Sequence, residues 1–94
     1  MTITKGMRKG FKESLTPTGI TQRKYKFSNG YGASVINGQY TYGGPQGLWE
    51  LAVLGADGHL DFDTPVTDDV LGWLTESEVN TALDQIKKLP AVQS

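Results

Sequence analysis

The apolar run Leu48 to Leu54, broken only by Glu50, limits what this chain can become. A run this short, rich in large side chains and bounded by Gly47 and Gly55, suits a largely buried strand better than a helix. Ala56-Asp57-Gly58 follows. Asp-Gly between two apolar stretches signals a hairpin, because Gly58 can take the positive φ of a tight turn. His59 to Asp63 is then expected to return antiparallel, with Leu60 and Phe62 on one face. Gly47 to Asp63 therefore reads as a hairpin in the middle of a sheet, with the rest of the chain packed around it.

Further strands precede it. Gln22 to Ser28 alternates, Tyr25 and Phe27 pointing one way and Lys24 and Lys26 the other, as in a half-buried strand. Asn29-Gly30 reads as a two-residue hairpin turn, since both positions tolerate positive φ. Tyr31 to Asn37 is the partner strand, with Tyr31, Ala33 and Val35 on one face and Gly32, Ser34 and Ile36 on the other. Asn37-Gly38 marks another turn, and Gln39 to Tyr42 is a short β-prone segment. Gly43-Gly44-Pro45-Gln46-Gly47 is a loop, where Pro45 cannot donate to a central ladder. Seven of the 12 glycines fall between Gly30 and Gly55, which fits bends and tight turns in a sheet.

Pro65 ends the strand region. Thr64 to Gly72 reads as a connector in which Thr67 or Asp68 caps one helical turn over Val70 and Leu71, closed by Gly72. Trp73 and Leu74 are expected on the core. Thr75-Glu76-Ser77-Glu78 is a capping box, with Leu74 and Val79 placed for the hydrophobic staple. Val79, Ala82, Leu83, Ile86 and Leu89 then form one apolar stripe at helical spacing. Glu76 and Glu78 complement the positive end of the helix dipole, and Lys87 and Lys88 the negative end. The helix is expected over about residues 76 to 89, stopped by Pro90. At the other end, residues 1–21 have no sustained period. Met7, Phe11 and Leu15 are spaced by four, but Gly6 and Gly10 each weaken a helix there by about 1 kcal/mol. The expected organisation is a flexible basic arm over 1–21, one domain over 22–90 and a tail over 91–94. The fold class is α+β: an antiparallel meander of four to five strands with one C-terminal amphipathic helix on one face.

Composition narrows the chemistry. With 94 residues there is room for one domain and a modest core. The absence of cysteine excludes disulfides, thiolate chemistry and zinc–thiolate sites. The basic N-terminus lacks a following apolar region and does not read as a signal peptide. No stretch approaches the roughly 18 apolar residues of a membrane span. The net charge of −1 hides a strong asymmetry. Seven of the nine basic residues lie before Phe27, and nine of the ten acidic residues lie after it. This separation either provides an arm or face for a charged partner, or compensates internally within one fold.

Five constellations bear on function. Asp57, Asp61, Asp63, Asp68 and Asp69 are acid-rich but lack the spacing of a calcium loop, so they read as a solvated face or an acidic interaction surface. His59, the one histidine, has no marked nucleophile for catalysis. Neither glycine-rich segment leads into a helix as a phosphate loop does. Tyr40, Tyr42 and Gln46 sit in a tyrosine and glycine loop of the kind that builds recognition surfaces. Arg23, Lys24 and Lys26, with Lys5, Arg8, Lys9 and Lys12 of the arm, are candidates for phosphate contacts. Tyr25 and Phe27 face the core, however, and are not available to stack bases.

From Tyr25 to Leu89, about two thirds of the chain, NGYGASVI, YGGPQGLWELAVL, DTPVTDDVLGWLT and the closing helix resemble small proteins encoded by tailed bacteriophages. That resemblance implies a bacterial host cytoplasm and a short accessory gene, and assigns no residue a role. Taken together, the expectation is a non-catalytic phage accessory protein that binds and modulates or inhibits a host protein. The contacts would be Tyr40, Tyr42, Gln46, Asp61, Asp63, Asp68 and Asp69, and an acidic surface imitating nucleic acid is a specific form of this reading. The alternatives are a nucleic-acid-binding accessory protein using the basic arm, and a minor virion component. No cofactor, metal or membrane association is expected, and the oligomeric state is open.

Overall fold

The computed structural model describes residues 10–17, 19–39, 41, 43–61, 64–67 and 70–90. Five strands, β1 (Phe11–Leu15), β2 (Thr21–Lys26), β3 (Gly32–Asn37), β4 (Trp49–Leu54) and β5 (Leu71–Leu74), are followed by one helix, α1 (Glu76–Lys87). The strands form one antiparallel sheet in the order β1-β2-β3-β4-β5. The α+β class and the meander with its single C-terminal helix are therefore as the residue pattern predicts.

The core follows from alternation. Tyr25, Ala33, Val35, Leu51 and Val53 share the face that meets Val79, Ala82, Leu83 and Ile86 of α1. Each large apolar side chain buried here stabilises the fold by about 1.5–3 kcal/mol relative to exposure. The helix lies over β3, β4 and β5. It begins at the expected capping box: Glu78 N–H donates to Thr75 Oγ1 at 3.2 Å, and Thr75 N–H to Glu78 Oε1 at 2.9 Å.

Several expectations need correction. Phe11–Leu15 belongs to the sheet and not to a helix-forming arm: Phe11 pairs with Tyr25 and Leu15 with Thr21. The four-residue spacing of Met7, Phe11 and Leu15 obscured the simpler alternation of Phe11, Glu13 and Leu15 with Lys12 and Ser14. The segment expected to stop a helix is a hairpin turn, closed by Gly19 N–H donating to Thr16 O at 2.9 Å. The Asn29-Gly30 turn has three connecting residues rather than two. Gly30 N–H donates to Phe27 O and Phe27 N–H to Tyr31 O, and only Gly30 takes a positive φ, of 94°.

The middle of the sheet is β3, with β4 one strand further out. The return after Gly58 is reduced to a single bridge, Leu54 to Leu60, supported by Gly55 N–H to His59 O and Asp61 N–H to Val53 O, both 2.9 Å. Phe62 and Asp63 lie outside the described residues. The long partner of β4 on that side is β5, where one helical turn over Val70 and Leu71 was expected. A strand as apolar as β4 has backbone donors and acceptors on both edges, and Leu71–Leu74 satisfies the second edge.

Candidate binding surfaces

The pairing of β4 with β5 is irregular, and the irregularity creates an exposed feature. Trp49 faces Leu74 and Leu51 faces Leu71, so two residues of β5, Gly72 and Trp73, span the place of one residue of β4. This is a bulge, and bulges re-aim side chains. Trp73 takes a φ of 61°, the one positive φ outside glycine among the described residues. For a bulky side chain that is an outlier costing about 1–3 kcal/mol. The indole turns out of the core and is 57% exposed. Trp73 was expected on the core together with Leu74. Gly72 is the one local hint, since an isolated glycine within a strand suggests a bulge.

The backbone beside Trp73 is the glycine-rich connection from β3 to β4. A single 3₁₀ turn (Gly44–Gln46) lies there, flanked by Gly43 and Gly47 in left-handed conformations. A side chain at Gly43 would come within 3.0 Å of the Trp73 backbone and 2.9 Å of Leu48. Only glycine lets the loop approach so closely. The loop is tied down at both ends. Thr41 Oγ1 donates to Gly38 O at 3.0 Å and accepts from Gly38 N–H at 2.9 Å, and Asn37 Nδ2 donates to Leu48 O at 2.7 Å. Pro45, Gln46 and Gly47 are exposed. The described part is thus a fixed turn that brings Gly43 against Trp73 and leaves Gln46 exposed. Tyr40 and Tyr42 lie outside the described residues.

The basic residues divide between the two faces of the sheet. Lys12 pairs with Lys24, and Lys26 with Gly32, which places these three lysines on the face away from α1. All three are exposed and line one concavity of about 410 Å³ together with Leu54 and Gly58. Arg23 projects from the helix-covered face instead. Its guanidinium lies 4.6 Å from the ring centre of Phe11 and 5.0 Å from that of Trp49, and its Nε donates to Glu13 Oε1 at 2.7 Å. Arg23 is thus held between aromatic rings as a packing element. It does not join the lysines, as adjacency in sequence had implied. Lys5, Arg8 and Lys9 lie outside the described residues.

Of the acidic candidates, Asp61 is half-buried, and Asp63, Asp68 and Asp69 lie outside the described residues. Asp57 and Asp61 flank Gly55, where an added side chain would lie 3.5 Å and 3.4 Å from their carboxylates. Asp57 Oδ1 accepts from His59 N–H at 3.0 Å, and Oδ2 lies 3.3 Å from His59 Nδ1. These bonds to the carboxylate, the backbone one foremost, hold Asp57 below its ordinary range. Such bonding organises a turn. Among the described residues no group of three or more histidines, aspartates or glutamates converges as a metal site would require. Family models, curated proteins and solved structures offer no match to this chain.

Proposed function

We propose that this chain is a small binding protein that acts by docking on another protein, with Trp73 as the anchor. The observation that carries this reading is an exposed tryptophan held at a strained backbone position. Exposing an indole forgoes the burial that favours folding, and its φ adds a further cost. Strained, rule-breaking positions concentrate where function requires them. Tryptophan is also enriched among the few residues that dominate protein–protein binding energy. The fixed turn holds Gly43 against the anchor, and a rigid surface loses little entropy on docking. In the phage setting implied by the resemblance, the partner is a bacterial host protein whose action is modulated or inhibited by occupation of its surface.

The test is a tagged-protein capture from nuclease-treated bacterial lysate, run with the natural chain and with Trp73→Ala. A stoichiometric protein retained by the first and lost from the second is the expected result. Equal retention by both would remove Trp73 as the anchor. Capture of no protein by the natural chain would remove the reading itself.

A further inference from the structure

We propose that the sheet face opposite α1 binds a ligand with clustered phosphates, seated in the concavity between Lys12, Lys24, Lys26 and Leu54. Lys12 and Lys24 are directly paired across β1 and β2. On one face of an antiparallel pair such residues have Cβ atoms about 5 Å apart, and like charges so placed destabilise the sheet. Lys26 follows two residues on, about 7 Å further along the same face. Among the described residues none of these three ammonium groups has a carboxylate partner, whereas Arg23 is paired with Glu13. Sheet pairing thus gathers three positive charges on one face, and among the described residues no carboxylate is paired with them.

The shape beneath them is built for an occupant. Lys26, Gly32 and Leu54 lie in one row across β2, β3 and β4. Gly32 contributes no side chain, and one added there would run into the carbonyl oxygen of Tyr25. Gly32 is itself buried, and the concavity lies between Lys26 and the side chain of Leu54. The resulting space has cationic walls and an apolar floor, within the size range of small-ligand sites. Lysine is a point-charge binder of phosphate, and an apolar floor accepts the non-ionic part of an organic phosphate. Phe11 and Tyr25 also border the concavity, but both side chains belong to the helix-covered face, where their rings pack edge to face. Recognition here is by phosphate charge and not by stacking on bases.

The two sources of such chemistry are a free organic polyphosphate and the backbone of a nucleic-acid strand. Titrations at low salt with adenosine triphosphate, with a labelled 20-nucleotide oligothymidylate and with polyglutamate distinguish them. Binding of either phosphate ligand, weakened about tenfold or more by Lys24→Gln and by Lys12→Gln but unchanged by Lys87→Gln, is the expected result. Which of the two binds names the source. The same Lys24→Gln variant, without ligand, should unfold at a higher urea concentration than the natural chain, because it removes the like-charge pair. A merely structural lysine would not couple gain in stability to loss of binding. The proposal is overturned by failure of both phosphate ligands to bind, by equal binding in all variants, or by polyglutamate binding as well as the phosphates.

Discussion

Asn29 Nδ2 donates to Ile86 O at 2.8 Å, joining the turn between β2 and β3 to the last turn of α1. The same nitrogen lies 3.1 Å from Leu89 O and 3.3 Å from Lys87 O, while Asn29 Oδ1 accepts from Tyr31 N–H at 3.0 Å. The final carbonyls of a helix have no partner within it. One amide here satisfies that end and fixes the turn at once. Asn29→Ala should therefore destabilise the protein by about 1–2 kcal/mol. Asn29→Asp should cost more, since a carboxylate cannot donate and meets the negative end of the helix dipole. Urea unfolding of both variants checks the order.

Trp73 offers a test in which shrinking a side chain helps. At a left-handed φ, glycine avoids a penalty of about 1–2 kcal/mol that every other residue carries. Trp73→Gly should thus exceed Trp73→Ala in stability by about 1 kcal/mol, although both remove the indole. Chemical denaturation of the pair measures this. Equal midpoints would mean that the bulge relaxes without cost.

Arg23 tests stacking against charge. Its partner Glu13 is half-exposed, so Glu13→Gln should cost less than about 1 kcal/mol. Arg23→Lys keeps the charge but loses the planar group between Phe11 and Trp49, and should cost about 1 kcal/mol or more. An Arg23→Lys variant no less stable than Glu13→Gln would show that the ion pair, and not the aromatic packing, holds this corner.

Tyr25 predicts a loss of stability in alkali. Burial raises its phenol above the ordinary 10.0, outweighing the nearby Arg23 charge, which lowers it. The folded state therefore favours the neutral phenol. Its contribution is fully present below the unfolded value of about 10 and is lost as pH rises through the folded value. Urea midpoints measured from about pH 8 to pH 11 should fall more steeply for the natural chain than for Tyr25→Phe.

The sequence by itself determined what depends on neighbours along the chain. The capping box at Thr75, the apolar stripe from Val79 to Ile86 and the alternation across Tyr25, Ala33 and Val35 are local patterns. They specify the helix, the β2–β3 hairpin and the faces that meet in the core. Tertiary structure decided what depends on distant partners. Phe11–Leu15 and Leu71–Leu74 are strands because β2 and β4 present edges for them to complete, and segments this short carry little periodic signal of their own. Trp73 leaves the core because the register between β4 and β5 slips by one residue, and a slip is a property of two strands. Lys12 meets Lys24, and Arg23 is drawn away to Phe11 and Trp49, because sheet pairing sorts side chains by face and ignores their adjacency in sequence. Alternation alone put Lys24 and Lys26 on one face, but their meeting with Lys12 and the exposure of Trp73 arise from long-range pairings that composition and spacing do not show.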